Sequence, residues 1–169
     1  MHINSKRHDL FNLLARIAPA EDQPETNASA VATVLAAEDN ATNRLVLSKM
    51  LRGAPIDLHF AENGLEAVEK WRALQPDLIF MDISMPGMDG YDATREIRRV
   101  EGDLRLRRTP IIAVTAHVME DGDTDVSRSG MDGYIGKPMR RAAVLEAVAH
   151  HTPAGRGFHD TQTTDRAVG

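Results

Sequence analysis

The sequence predicts a doubly wound α/β fold, in which helices cover both faces of a parallel β-sheet. Short apolar runs, typical of strands buried on both sides, alternate along the chain with segments whose apolar residues recur at helical spacing. Several of the runs end in an acid, a hydroxyl or a lysine. Because ligands bind at the carboxyl ends of the strands in such sheets, these residues are also the first candidates for a functional site.

The composition sets the class of protein. The chain has 169 residues, 42% of them hydrophobic, and a formal net charge of -5, which fits one soluble domain with tails and argues against broad nucleic-acid binding. It has no cysteine, which excludes thiol chemistry, and its seven histidines match no recognised zinc spacing. No apolar run approaches the roughly 20 residues that cross a bilayer, and the first residues lack a signal-peptide core. We expect a cytoplasmic location without membrane contact.

The predicted domain covers residues 33–152. Residues 1–32 are interpreted as a short helix and a linker, and residues 153–169 as a disordered polar tail. The short helix has an apolar stripe at i, i+3, i+4 and i+7 (Leu10, Leu13, Leu14 and Ile17). Because this helix is short, we favour the interpretation that it is a fraying terminal element. The alternative is that its apolar stripe serves for docking or for dimer formation.

Five strands are predicted, at residues 34–37, 56–61, 78–82, 110–115 and 134–135. The central one is the clearest, because four apolar residues, Leu78 to Met81, lead directly into Asp82. An acid at the end of a buried strand has no packing role. The alternative interpretation is that Asp82 only caps the following turn.

Five helices alternate with the strands. The first covers 42–51, and the second begins at the N-cap Asn63 and places Leu65, Val68, Trp71 and Leu74 on one face. Asp89 caps a third helix that ends near Val100, before a charged loop at 101–108. A weak fourth helix is predicted at 118–129 and a final one at 140–150. This alternation and length fit the flavodoxin-like order 2-1-3-4-5 of a five-stranded parallel sheet with five helices.

The predicted order brings the acids together. Strands 1 and 3 are neighbours in it, so Glu38 and Asp39 should lie beside Asp82. Three carboxylates repel each other unless a cation lies among them, and ligands that are all oxygen suit Mg²⁺. Strands 4 and 5 should bring Thr115 and Lys137 to the same edge. Such a set stabilises a phosphoryl group, and Asp82 can then be the nucleophile that forms an aspartyl-phosphate.

Each of these residues also has an ordinary structural explanation. Thr115 fits a β-branched strand end, Lys137 a solvated surface lysine, and Tyr134 a half-buried edge aromatic. Taken together at the ends of strands of one sheet, they favour a functional site.

Four segments carry a family resemblance: Glu38–Asn40, Met81–Gly90, Val114–Ala116 and Tyr134–Pro138. In order and spacing they resemble the receiver domain of two-component response regulators. The residues Asn40–Leu47 and Thr115–Met119 are most similar to receivers of hybrid histidine kinases and to single-domain regulators. The pair Glu38-Asp39 departs from the two aspartates of many members, but remains compatible with metal binding.

The resemblance implies a role for each matched residue. Asp82 would accept phosphate from a phosphohistidine on a histidine kinase or a histidine phosphotransfer protein. Glu38 and Asp39 would hold Mg²⁺ together with Asp82 and the backbone carbonyl of Ser84. Residues at the positions of Ser84 and His117 influence in this family how long the phosphate survives.

The remaining roles concern the switch. Thr115 would bind a phosphoryl oxygen and move on activation, and Tyr134 would be the coupled aromatic. Lys137 would pair with the phosphate, and a cis Lys137–Pro138 bond is predicted to aim it inward. The weak helix after Thr115 is expected to carry the change outward. Since residues after His151 are few and polar, we expect output through a downstream protein partner or onward transfer.

Other functions fit the residues less well. A dehalogenase-like phosphatase or phosphotransferase with an Asp nucleophile would want Asp-x-Asp, whereas the chain has Asp82-Ile83-Ser84. A nucleotide- or flavin-binding domain would want a Gly- or Ser/Thr-rich loop after strand 1, where Glu38 and Asp39 would repel phosphate. A receiver-like module that is never phosphorylated remains as the third alternative.

Overall fold

The computed structural model describes residues 31–116 and 124–152 of the chain. The predicted N-terminal helix and nearly all of its linker lie outside the described residues. So do His117, the first half of the predicted fourth helix and the C-terminal tail.

The described residues form five strands and five helices in strict alternation. The strands are β1 (Ala32–Ala37), β2 (Ile56–Ala61), β3 (Leu78–Asp82), β4 (Ile111–Thr115) and β5 (Gly133–Gly136). The helices are α1 (Ala41–Met50), α2 (Gly64–Leu74), α3 (Gly90–Leu104), α4 (Thr124–Ser129) and α5 (Arg141–His151). All strand pairs are parallel and the order is β2-β1-β3-β4-β5, which confirms the predicted fold class. Within these residues, no helix is long and apolar enough to span a bilayer.

The register aligns the carboxyl ends of the three central strands. Ala37 of β1 pairs with Met81 of β3, and Asp82 pairs with Val114 of β4. Thr115 in turn lies opposite Gly136 of β5. The residues that follow each of these strands therefore meet at one edge of the sheet.

Each face of the sheet has its own apolar core, because successive strand residues point to opposite faces. On one face the strand residues pack with Val68 and Trp71 of α2 and Ile97 of α3. The Trp71 indole is fully buried, and its Nε1 donates to Thr109 Oγ1 at 3.0 Å, so burial leaves no polar atom without a partner there. On the other face the strands pack with Leu47 of α1 and Val144 of α5.

The apolar face predicted for α2 does not coincide with its buried face, because Leu65 is 57% exposed. The buried residues of this helix are Gly64, Ala67, Val68 and Trp71, which follow i, i+3, i+4 and i+7. Leu65 lies one residue round from Gly64, about 100° away on the helix. The small residues at 64 and 67 allow the close approach that a leucine would prevent.

The predicted end of α3 is also wrong, because the helix continues past Val100 to Leu104. Glu101, assigned to a charged loop, is buried in the last turns and accepts hydrogen bonds from Arg98 Nη1 at 2.7 Å and the Thr109 amide at 2.7 Å. β1 begins at Ala32, so the first strand starts two residues before its predicted start. The other predicted bounds within the described residues agree to within two residues.

Candidate functional site

Three carboxylates meet at the carboxyl edge of the sheet. Asp82 closes the fully buried strand β3 and is itself 2% exposed, while Glu38 follows β1 and is 5% exposed. Asp39, the next residue, is exposed. One carboxylate oxygen of each lies within 4.8 Å of the others. The donor set is oxygen alone, which suits a hard cation such as Mg²⁺ and fits no soft metal.

Lys137 follows β5 and reaches into this acidic cluster. Its Nζ donates to Asp82 Oδ2 at 2.7 Å and lies 3.0 Å from Glu38 Oε2. The Lys137–Pro138 bond is cis, as predicted from the sequence. The Lys137 amide also donates to the carbonyl of Thr115 at 2.6 Å, which ties the segment after β5 to the end of β4.

The Glu38 carboxylate is held by donors on both oxygens. Oε1 accepts from the Asn40 amide at 3.1 Å and from Asn43 Nδ2 at 3.0 Å, while Oε2 faces Lys137. Burial alone would raise the pKa of Glu38, but the hydrogen bonds from Asn43, Lys137 and the Asn40 amide outweigh it and lower the pKa. Glu38 is therefore a stable anion.

Asp82 is balanced differently. Burial raises its pKa, and this effect exceeds the opposing hydrogen bonds from Lys137 and from the Ser84 amide, which donates to Oδ1 at 3.0 Å. Burial would lower the pKa of Lys137, but its contacts with Asp82 and Glu38 raise it, so the ammonium form is retained. The site thus keeps excess negative charge, and the Asp82 carboxylate is less stable in its charged form than an aspartate in water.

The two predicted switch residues have contrasting environments. Thr115 ends β4 and is buried, one residue beyond Val114, the register partner of Asp82. Tyr134 lies two residues earlier on β5 than Gly136, the partner of Thr115, and its side chain is 54% exposed. The structure therefore places Thr115 at the site and Tyr134 on the adjoining surface.

Two further residues at the start of α1 shape the acidic turn and were not assigned a role from the sequence. Asn43 binds Glu38, and Arg44 Nη1 donates to the main-chain carbonyls of Glu38 and Asp39, each at 2.9 Å. Arg44 Nη2 lies 2.9 Å from Glu62 Oε1. The only sequence signal for a role of these two residues was that they lie in the Asn40–Leu47 segment that carries the family resemblance. Without it, polar residues in the first turn of a helix are interpreted as capping or solvated residues.

A glycine fixes the loop after Asp82. A Cβ on Gly90, the first residue of α3, would lie 2.2 Å from the Asp82 carbonyl oxygen. The N-terminus of α3 is thus packed against the end of β3, with the Gly90 amide donating to the Ile83 carbonyl at 3.1 Å. Only glycine allows the helix to start so close to the strand that carries the acid.

Comparison with known proteins agrees with this geometry. A family model described as the response regulator receiver domain matches residues 34–149. The chain is 35% identical over 143 residues to hybrid signal transduction histidine kinase L of Dictyostelium discoideum, covering 83% of this chain but only 8% of that kinase. The chain therefore corresponds to a small part of such longer relatives.

Solved structures give the same result. The receiver domain of sensor histidine kinase PA1611 from Pseudomonas aeruginosa, described with a magnesium ion in its active-site cleft, is 34% identical with a TM-score of 0.63, covering 72% of this chain and 98% of that one. The Ssk1 receiver domain of Saccharomyces cerevisiae, crystallised with the histidine phosphotransfer protein Ypd1, is 31% identical with a TM-score of 0.63, covering 72% and 89%. The acidic cluster, the lysine, the sheet order and these matches together show that the chain belongs to the response regulator receiver domain family.

Proposed function

We propose that this receiver domain takes a phosphoryl group onto Asp82 from a phosphohistidine on a histidine kinase or a histidine phosphotransfer protein. The observation that carries the proposal is the contact of Lys137 Nζ with both Asp82 and Glu38, inside a cluster of three acids. An excess of anions around one lysine is suited to hold a cation and a phosphoryl group together.

The transfer itself needs little from the protein beyond position and charge. A carboxylate oxygen of Asp82 forms the new bond to phosphorus while the bond from phosphorus to the donor imidazole nitrogen breaks, and that nitrogen retains the electron pair. Lys137 would bind an oxygen of the incoming group, and Thr115 would bind another. Because Lys137 already bridges two carboxylates, it can follow the new charge without leaving the site.

The oxygen ligands fit Mg²⁺. Glu38, Asp39, Asp82 and the backbone carbonyl of Ser84 would hold the ion, either directly or through water. The ion would supply the positive charge that lets phosphate approach an acidic pocket. Glu38 is already bonded by Asn40 and Asn43, whereas Asp39 is exposed and so is the acid most accessible to a cation from solvent.

Signalling would proceed through protein contacts. The buried Thr115 would shift towards the phosphate, and the exposed Tyr134 would follow it and alter the surface near β5. The same acids and lysine would also assist loss of the phosphate, with Ser84 and His117 affecting its lifetime. The Ypd1 complex of the yeast relative and the hybrid kinase relatives support a phosphorelay as the setting.

The direct test is phosphorylation by a small donor. The protein is incubated with Mg²⁺ and acetyl phosphate and analysed by intact mass spectrometry. We expect one phosphoryl group that is labile to base and hydroxylamine, as an acyl phosphate should be, and that is absent from Asp82→Asn. Asp103→Asn, an exposed acid on α3 paired with Arg99, is the matched control and should still be modified. Unmodified wild-type protein, tested also with a phosphorylated phosphotransfer protein, would contradict the proposal.

A further inference from the structure

We infer that Arg44 is a positioning residue that fixes the acidic turn after β1 in the form the magnesium site requires. The inference rests on the proposed function, since it concerns the same site. Arg44 lies in the first turn of α1, and its side chain is only 18% exposed. Its guanidinium makes three contacts of 2.9 Å, two to main-chain carbonyls of the acidic turn and one to Glu62.

The acidic turn has a reason to need such support. Glu38, Asp39 and Asp82 bring three carboxylates within 4.8 Å, and without a cation they repel each other. One guanidinium nitrogen binds the carbonyls of both Glu38 and Asp39, which fixes the orientation of two successive peptide units. The direction in which the Asp39 side chain leaves the backbone is thereby set before any ion binds.

Glu62 connects this support to the rest of the edge. It lies in the turn between β2 and α2, and its amide donates to Glu66 Oε2 at 2.8 Å. Two residues later the Gly64 amide donates to the carbonyl of Met88 at 3.1 Å, in the loop that follows Asp82. Arg44 and Glu62 therefore join the turn that carries two of the acids to a turn that is itself bonded to the loop after the third.

Charge and position predict opposite effects for the loss of Arg44. If the residue acted only through its charge, Arg44→Ala would remove a cation near the site and strengthen Mg²⁺ binding. If it acts by holding the turn, the same change weakens binding, because the ligands must be reordered. Residues that orient metal ligands typically change affinity by about 10-fold or more. The sign of the change therefore separates the two roles.

The experiment is Mg²⁺ titration by calorimetry on the full chain. We expect Arg44→Ala to weaken binding about 10-fold, and Arg44→Lys to weaken it less, since an ammonium keeps the charge but cannot make all three contacts. Arg95→Ala, which removes an exposed arginine paired with Asp92 on α3, is the control and should bind as wild type does. If Arg44→Ala does not fold, Arg44→Lys alone decides the question.

A second readout needs no metal. Amide hydrogen exchange at Asp39 and Asn40 in metal-free protein should be faster in Arg44→Ala than in wild type, and saturating Mg²⁺ should restore its rate of phosphorylation. Equal or tighter Mg²⁺ binding by both Arg44 variants would overturn the inference while leaving the proposed function intact. Failure of the wild-type protein to bind Mg²⁺ would overturn both.

Discussion

Asp82 carries an energetic cost that its surroundings only partly offset. The residue ends a strand of four fully buried apolar residues, and its carboxylate is removed from water with them. Lys137 and the Ser84 amide compensate, but burial prevails and the pKa is raised. A residue kept in a charged form that destabilises the fold is typical of a functional site.

The cost of Asp82 predicts a pH-dependent stability difference. Because its pKa in the folded state lies above the ordinary value of 3.8, the fold binds this proton more tightly than the unfolded chain does. Stability is therefore lost as the pH rises through the interval above 3.8, and the loss persists at neutral pH. Asp82→Asn should be more stable than wild type in urea unfolding at neutral pH with a metal chelator present.

The pH dependence of the stability difference between Asp82→Asn and wild type is an internal control. The advantage of Asp82→Asn should shrink as the pH falls and should vanish below 3.8, where the aspartate is protonated in both the folded and the unfolded state. A wild-type protein more stable than the variant at neutral pH would show that Lys137 outweighs the burial of the carboxylate.

The sequence identified the acids and the lysine of this site for a simple reason. Parallel strands end at one edge, so residues after three apolar runs had to meet once the strand order was predicted. Arg44 could not be found in the same way. Its contacts are to carbonyl oxygens whose directions depend on the shape of a turn, and this shape has no signature in residue type or spacing.

At the scale of elements, periodicity located the helices but did not fix their faces or ends. The face of α2 depends on its first residue, Gly64, fitting beside Met88, which lies in a loop distant in sequence. The end of α3 depends on Glu101, whose burial is compensated by Arg98 and the Thr109 amide. A run of charged residues with a glycine is typical of a loop when the charges have no partners in the fold. Here the tertiary structure supplies the partners, and the run forms the last turns of a helix.

The two glycines at the ends of α3 predict opposite outcomes of the same substitution. Gly90→Ala should destabilise the protein by about 1–3 kcal/mol, because the new methyl would lie 2.2 Å from the Asp82 carbonyl oxygen. Gly102→Ala meets no atom within 4 Å and should stabilise by up to about 1 kcal/mol, through helix propensity. Urea unfolding measures both, and a harmless Gly90→Ala would mean that the α3 terminus moves freely relative to β3.

At the scale of the whole molecule, ionic contacts hold both edges of the sheet. At the edge opposite the acids, Arg98 of α3 binds Glu101, the Gly130 carbonyl at 2.9 Å and Asp132 at 2.8 Å. Asp132 also accepts from the Ile111 amide at 2.9 Å, where β4 begins. One guanidinium thus joins α3, the start of β4 and the segment between α4 and β5. None of these contacts involves the carboxyl ends of the strands, where the acids lie.

This division predicts that the two edges respond independently. Arg98→Ala removes the guanidinium that is paired with the buried Glu101 carboxylate and should destabilise the fold by about 3 kcal/mol. Adding Glu101→Gln should recover part of the loss, because the amide oxygen can still accept from Thr109 and no charge remains buried. Arg95→Ala, which breaks an exposed pair on the same helix, should cost less than about 1 kcal/mol.

Mg²⁺ titration of the same Arg98 variants completes the test. Their affinity should equal that of wild type, because the acids belong to the other edge and sites without shared partners act additively. A loss of Mg²⁺ affinity in Arg98→Ala that the added Glu101→Gln does not reverse would show that the contacts around Gly130 and Asp132 also shape the acidic cluster, through β4 and Thr115.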